Sequence, residues 1–163
     1  LQKRIQKMID QMPPDSTQMR MLVKGSSDTL ALIRRVIVAC VQHLNLDAPL
    51  INDIKLATTE ACTNVIKHAY KFNESLSFEL EIKTSAEIFV VEVFYQDPDF
   101  VPEKIPVPNL KEIKEGGLGV YIIRNIMDHV NYITDAGSGR VRLQMVKLLN
   151  SKESIGGPGE NRV

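Results

Sequence analysis

Three polar side chains recur four residues apart in the segment EACTNVIKHAY, residues 60–70: Glu60, Asn64 and His68. A four-residue step along an α-helix rotates by about 40°, so the spacing predicts one ridge on a helix face, with Lys67 beside it. The carboxamide oxygen is a hard ligand for magnesium and the carboxylate accepts a proton, so the pair suits chemistry at a divalent cation. Taken alone, however, the pattern is more typical of a solvated helix face.

A second chemical signal is the sequence Gly116-Gly117-Leu118-Gly119, which leads into an apolar helical pattern. Glycines let a backbone approach phosphate closely, and the free amides of a helix start attract it. The motif is weak alone, since a flexible loop before a helix has the same composition. It is not a Walker A loop, because no Gly-Lys-Ser/Thr follows, and it is not a dinucleotide fingerprint, because no strand precedes it.

These segments need helices and strands to position them. Apolar periodicity predicts helices over about 1–12, 28–45 and 48–70, and a fourth that runs from the end of the Gly116–Gly119 motif to about 129. Alternation and apolar runs predict strands over 19–24, 76–83, 87–96, 130–135 and 140–149. Leu76, Phe78, Leu80 and Ile82 are expected on one strand face. Four prolines make the stretch 97–116 irregular, and the polar tail 150–163 is expected to be disordered.

The order of these elements is not a strict alternation of strand and helix. It predicts an α+β fold, a two-layer α/β sandwich with one mixed sheet and its helices on one face. The domain is expected to span 19–149. Residues 1–18 form an N-terminal helical arm or linker, whose role as a linker helix, a dimer contact or a fraying arm stays open.

Composition narrows the class of protein. The chain has 163 residues, 20 basic and 20 acidic side chains, so no net field favours nucleic acid. No apolar run reaches the ~18 residues of a membrane span. Cys40 and Cys62 lie in apolar helical patterns, which indicates buried thiols in a reducing compartment such as the cytoplasm.

The combination is more specific than its parts. EACTNVIKHAY, an apolar strand ending near Asp97, a loop and then GGLGVYIIRNIMD (116–128) occur in one order within one domain. From about Met19 to Leu149 the chain resembles the GHKL (histidine-kinase-like) ATPase superfamily, and within it the anti-sigma factor serine/threonine kinases. The resemblance implies the Bergerat fold, with a mixed, mostly antiparallel sheet, and it implies Mg²⁺ and ATP as cofactors.

The resemblance also implies roles for the helical ridge. Glu60 would be the general base toward a partner serine, Asn64 would coordinate magnesium, and Lys67 and His68 would lie near the phosphates. The partners implied are a small anti-anti-sigma (STAS) protein and a sigma factor, with a homodimer as the assembly.

For the rest of the nucleotide, the resemblance implies that the backbone of Gly117, Leu118 and Gly119 cradles phosphate. Residues 97–116 would form a shortened ATP lid. An aspartate at the end of the apolar strand would hydrogen-bond the adenine amino group, with a glycine two residues later leaving room for the base.

That adenine segment departs from the family pattern and reads FYQDPDF, residues 94–100. If Asp97 is the adenine-binding residue, Asp99 stands at the glycine position. Without a gap, Tyr95 replaces the aspartate and Asp97 replaces the glycine. The threonine that relatives often carry near the last strand is also missing around Arg142 and Val146.

Three functions therefore remain open. The first is a Mg-ATP-dependent protein kinase, and the second is a partner-binding module on the same fold whose nucleotide pocket has decayed. The third, ranked last because no phospho-acceptor histidine box is present, is the ATPase domain of a longer histidine kinase.

Overall fold

A computed structural model of the chain describes residues 2–14, 16–105, 117–135 and 137–149. Four α-helices are present there: α1 (Gln2–Asp10), α2 (Thr29–Val41), α3 (Ala48–Asn64) and α4 (Leu118–Ile126). Five strands accompany them: β1 (Thr17–Lys24), β2 (Ser77–Thr84), β3 (Ile88–Gln96), β4 (His129–Thr134) and β5 (Arg140–Leu148). Most of the ATP-lid segment and the tail from 150 onward lie outside the described residues.

The strands form one sheet in the order β1-β2-β3-β5-β4. Every pairing in the described chain is antiparallel, so the predicted α+β fold is confirmed and its sheet contains no parallel pair there. β3 lies in the centre, where Val91 is opposite both Ile82 and Met145. Its nearly continuous apolar run follows from this position, because both faces of the strand are covered.

Helices α2, α3 and α4 cover one face of the sheet, as predicted. The core between the two layers is built from fully buried aliphatic and aromatic side chains, among them Ile33, Ile37, Ile54, Ile123, Phe78, Leu80, Val91 and Met145. Each such side chain stabilises the fold by about 1.5–3 kcal/mol relative to an exposed position. This core fixes α3 and α4, the two helices that carry the candidate site.

Helix α1 packs on the opposite face of the sheet. Ile5 is 1% exposed and forms a second apolar cluster with Ile88, Val90 and Val146. The predicted arrangement of helices on one face therefore holds for α2–α4, and α1 is an addition to it. The sequence predicts that α1 is amphipathic. It does not specify which surface the apolar side of α1 covers.

That second face also carries a buried polar group. Glu92 is 3% exposed, and its Oε1 accepts hydrogen bonds from Arg142 Nε at 2.7 Å and Gln144 Nε2 at 2.9 Å. Lys83 Nζ lies 3.7 Å from the other carboxylate oxygen. The buried charge is thus paired on both sides, which a carboxylate in this position requires.

Local signals explain the ends of α3. The Asp47 side chain caps its start by accepting from Leu50 N at 2.9 Å, and Pro49 lies in the first turn. After Asn64 the helix widens into a π-turn, Val65–Ala69, closed by Tyr70 N donating to Val65 O at 2.9 Å. No helix in the described part of the chain is long and apolar enough to span a membrane.

Candidate functional site

The structure brings the polar ridge of α3 against the glycine start of α4. A Cβ added to Gly119 would stand 2.8 Å from Glu60 Oε2, 3.3 Å from Asn64 Oδ1 and 3.5 Å from Asn64 Nδ2. A larger residue at position 119 would therefore push the end of the flexible Glu60 side chain out of its present position. Three of the predicted site residues, far apart in sequence, form one contact.

Both polar side chains are half-buried. Neither Glu60 nor Asn64 makes a side-chain hydrogen bond within the described residues, and oxygens of both side chains lie close to Gly119. A half-buried carboxylate and carboxamide left free in this way are available to a ligand.

The backbone of α4 adds donors at the same point. Gly117 is its N-cap, and the first amide to find an intrahelical acceptor is that of Tyr121, which donates to Gly117 O at 3.3 Å. The amides of Leu118, Gly119 and Val120 are the free donors of the helix start, with its positive dipole end beside them. An anionic group fits this position.

The other end of α4 is fixed to β5. Lys147 Nζ donates to Ile126 O at 2.8 Å, so its positive charge caps the C-terminus of the helix. The same Nζ lies 3.3 Å from an Asp128 carboxylate oxygen. Asp128 also accepts from Leu148 N at 2.7 Å. These bonds hold the short helix in place while its N-terminus meets Glu60.

The α-helix that carries Glu60 and Asn64 ends at Asn64, where the π-turn Val65–Ala69 begins. Lys67 and His68 lie within this π-turn, so the regular α-helical spacing assumed for the predicted ridge ends at Asn64. Both side chains are exposed, at the end of the helix nearest Asn64. π-turns are rare and frequently occur at functional sites.

Tyr70 anchors the end of the π-turn. A Cβ added to Gly25 would lie 2.9 Å from Cδ2 of the Tyr70 ring. The Tyr70 hydroxyl donates a hydrogen bond to Ser77 O at 2.8 Å. Tyr70 is 4% exposed, which agrees with the expectation of a packing role. The need for glycine at position 25 gave no signal in the sequence, since it depends on a ring 45 residues away.

Asp97 lies away from the Glu60 contact, at the end of β3. Its backbone N–H donates to Gly139 O at 2.8 Å, and its Oδ1 accepts from Asp99 N at 3.2 Å. It lines a cavity of about 260 Å³ together with Pro98, Phe100, Thr134, Asp135, Gly137, Gly139, Arg140 and Val141. Glu60, Asn64 and Gly119 do not line this cavity.

Thr134 in that cavity was missed from the sequence. Relatives often carry a threonine on the last strand, and none is present around Arg142 and Val146. In the structure Thr134, the last residue of β4, lines the cavity together with Asp97. β4 and β5 are joined by a turn with positive φ at Gly137 (102°) and Gly139 (68°). The register of this hairpin, invisible in composition, sets which residue reaches the cavity.

Tyr95 lies inside the molecule instead. It is 7% exposed and its ring meets Phe100 edge-on at 6.3 Å, while Phe100 stacks on Tyr132 at 5.3 Å. Burial, with Tyr132 and Asp97 nearby, raises the pKa of Tyr95 well above its usual range. The hydroxyl therefore stays protonated and is a neutral donor.

The donor set fits magnesium held with phosphate. No three His, Cys, Asp or Glu side chains converge as metal ligands among the described residues. Mg²⁺ is bound by one or two protein oxygens together with substrate phosphates and water, so a full protein cage is not required. The Asn64 amide oxygen, which has no hydrogen-bond partner among the described residues, could bind such an ion, and the amides at the start of α4 suit the phosphate that accompanies it.

Comparison with known proteins decides the family. Residues 23–147 match the family model of the histidine kinase-like ATPase domain, which is most of the chain. The chain belongs to this family. Residues 23–147 contain α3, the π-turn, the Gly117–Gly119 helix start and Asp97, so every predicted site residue lies within the matched domain.

Its relatives include serine-protein kinases. Serine-protein kinase RsbW of Halalkalibacterium halodurans is 31% identical over 142 residues, which covers 82% of this chain and 84% of that protein. RsbW of Bacillus subtilis is 28% identical over 151 residues, covering 86% of this chain and 91% of that protein. RsbW of Staphylococcus aureus is 29% identical over 149 residues. The membership in the serine kinase branch that the motifs predicted is confirmed.

A solved structure shares the fold. The RsbU and RsbW domains of a Mycobacterium tuberculosis protein superpose with a TM-score of 0.57 at 12% identity, covering 81% of this chain. The chain spans 32% of that larger protein. At this identity the likeness concerns the fold alone.

Proposed function

We propose that this chain is a protein serine/threonine kinase that uses Mg-ATP to phosphorylate a small anti-anti-sigma (STAS) protein. The single observation that carries the proposal is the contact of Glu60 and Asn64 with Gly119. It brings a proton acceptor, a metal-binding oxygen and a row of free amides to one place.

Each group then has a defined task. The Glu60 carboxylate takes the proton of the partner's serine hydroxyl, and the serine oxygen forms a bond to the γ-phosphorus of ATP. The bond between that phosphorus and the β–γ bridging oxygen breaks, so ADP leaves with the electron pair. The free amides at Leu118 and Gly119 and the cap at Gly117 stabilise the phosphate charge.

Asn64 would hold Mg²⁺, which supplies charge neutralisation for the transferring phosphoryl group. Lys67 and His68, exposed on the π-turn, approach the phosphates from the side of Asn64. Either Asp97 or Tyr95 would contact the base. Asp97 is the adenine ligand in this scheme, because it lines an open cavity whereas Tyr95 is buried.

We extend the proposal to partner switching, which the resemblance to anti-sigma factor kinases implies. In this circuit the chain phosphorylates the STAS protein and binds a sigma factor when that partner is absent or modified. We place this activity in the cytoplasm with a homodimer as the working assembly. The two buried, unpaired thiols of Cys40 and Cys62 are compatible with a reducing compartment.

A second function is favoured by the end of β3. Tyr95, Phe100 and Tyr132 pack together there, and Pro98 and Asp99 follow where the family pattern has a glycine. If these residues exclude the base, the chain is a nucleotide-independent partner-binding module on the same scaffold.

Calorimetric titration separates the two functions. ATP and ADP are titrated into the purified chain with and without magnesium, using Asn64→Ala as the matched variant. Micromolar binding that depends on magnesium and is weakened by Asn64→Ala supports the kinase. Absence of binding at millimolar nucleotide overturns it in favour of the binding module.

A further inference from the structure

The segment directly after the π-turn is held in an uncommon backbone conformation. Lys71 has φ 48° and Phe72 has φ 62°, both in the left-handed region. Glycine or asparagine usually occupies such positions, and a bulky residue there is an outlier. Strained conformations of this kind persist only where the surroundings impose them, and they concentrate at functional sites.

Three hydrogen bonds impose this conformation. Phe72 N donates to Ile66 O at 2.9 Å, Asn73 N donates to Tyr70 O at 2.8 Å, and Ser75 N donates to Asn73 Oδ1 at 3.0 Å. Tyr70, wedged against Gly25, fixes the base of the segment. Residues 71–76, called the Phe72 loop below, are therefore a shaped projection from the end of α3.

The apolar side chains of this loop point outward. Phe72 is 58% exposed and Leu76 is 42% exposed, although Leu76 was predicted to face the core with Phe78, Leu80 and Ile82. That prediction is wrong for Leu76, because β2 begins only at Ser77. Among the described residues, Phe72 is the only aromatic side chain in the exposed class. Among the described residues, nothing packs against the exposed phenyl ring in a way that explains the strained backbone presenting it.

The net charge of the π-turn and loop is positive. Between Lys67 and Leu76 the lysines Lys67 and Lys71 are exposed, and the one acidic residue, Glu74, accepts a hydrogen bond from the Ser26 hydroxyl at 3.4 Å. A surface with an apolar centre and a basic rim fits a protein partner that carries an apolar depression edged by carboxylates.

We infer that the Phe72 loop is the docking element for the serine-bearing protein substrate. The inference rests on the proposed function. A folded protein whose hydroxyl reaches Glu60 must cover the surface next to that residue. The π-turn starts directly after Asn64 and leads into the loop, so a partner that extends from Glu60 along the end of α3 meets the Phe72 loop.

The test compares Phe72→Gly with the wild-type chain, using a purified STAS-domain anti-anti-sigma protein from the same genome as substrate. Glycine adopts the observed φ without strain, so the variant is expected to fold with an unchanged or higher Tm. We expect its KM for the protein substrate to rise about tenfold, the effect of losing one anchor side chain, with kcat and the Kd for ATP unchanged. Phe72→Leu should restore part of the affinity.

Leu22→Ala is the matched control, since Leu22 is 73% exposed on β1 and belongs to the opposite sheet face. A Phe72→Gly variant with wild-type KM overturns the inference, as does one that loses ATP binding or Tm, because Phe72 would then be structural. A wild-type chain that binds ATP but transfers no phosphate to the STAS protein overturns the proposed function itself, and the docking inference with it.

Discussion

Gly119 approaches Glu60 so closely that an added Cβ would lie 2.8 Å from a carboxylate oxygen. Gly119→Ala in an ordinary helix would stabilise the chain by roughly 0.5–1 kcal/mol. Here we expect the new methyl group to displace the carboxylate and to weaken ATP binding by roughly tenfold, about 1.4 kcal/mol. Calorimetry of the variant measures this directly.

The double variant Glu60→Ala with Gly119→Ala provides the control. Removing the carboxylate removes the collision, so the Gly119→Ala change should then have little effect on ATP affinity and should raise Tm slightly, as in an ordinary helix. If Gly119→Ala weakens ATP binding equally with and without Glu60, the contact is not the cause.

The packing of α1 on the sheet predicts a large stability effect at Ile5. Ile5→Ala removes a fully buried side chain from the cluster with Ile88, Val90 and Val146, and should lower the free energy of unfolding by about 2–4 kcal/mol. Urea unfolding at equilibrium measures the change. Leu32→Ala, at a helix position 50% exposed, serves as the control and should change stability by less than about 0.5 kcal/mol. Similar small values for both variants would show that α1 is detached in solution.

The fold followed from local patterns in the sequence, whereas parts of the site did not. Alternation in β2, the apolar run of β3 and the cap at Asp47 each have one local explanation. The contact of Glu60 with Gly119 was implied only by family resemblance, because nothing in either segment specifies the other. The π-turn, the place of α1 and the exposure of Leu76 arise from tertiary packing, which periodicity does not encode.

The buried thiols predict a loss of stability at alkaline pH. Burial raises the pKa of Cys62 to about 12 from a usual value of 9.0. Above pH 9 the unfolded chain releases this proton while the folded chain keeps it, so the folded state binds more protons. The free energy of unfolding should therefore fall by about 1.4 kcal/mol per pH unit because of this thiol between pH 9 and about 12. Below pH 9 the thiol is protonated in both states and does not lower the stability.

Urea unfolding at pH 8 and pH 10 checks this slope, with Cys62→Ala as the variant that lacks it. The difference in stability between the two pH values should be smaller in the variant by about 1.4 kcal/mol. Identical pH dependence in both proteins would contradict burial of the thiol. Cys62 should also resist a thiol reagent at pH 8 until the chain unfolds.

The two candidates for base recognition predict different variants. If Asp97 holds the adenine amino group, Asp97→Asn should weaken ATP binding roughly tenfold and reduce the preference for ATP over GTP, since a carboxylate acceptor is lost. Asp53→Asn, at an exposed position on α3, is the control for loss of a carboxylate and should leave both unchanged. Unchanged binding in Asp97→Asn together with weakened binding in Tyr95→Phe would instead assign the base to the Tyr95 hydroxyl.

The most direct test of the kinase proposal is transfer of labelled γ-phosphate from ATP to the STAS-domain protein, by the wild-type chain and by Glu60→Gln. The glutamine preserves the shape beside Gly119 and cannot accept the serine proton. We expect the wild type to label a serine on the partner, and Glu60→Gln to lose at least about 100-fold in rate while its Kd for ATP stays within about twofold. Full phosphotransfer by Glu60→Gln, or no transfer by a wild-type chain that binds ATP, would contradict the proposed role of this site.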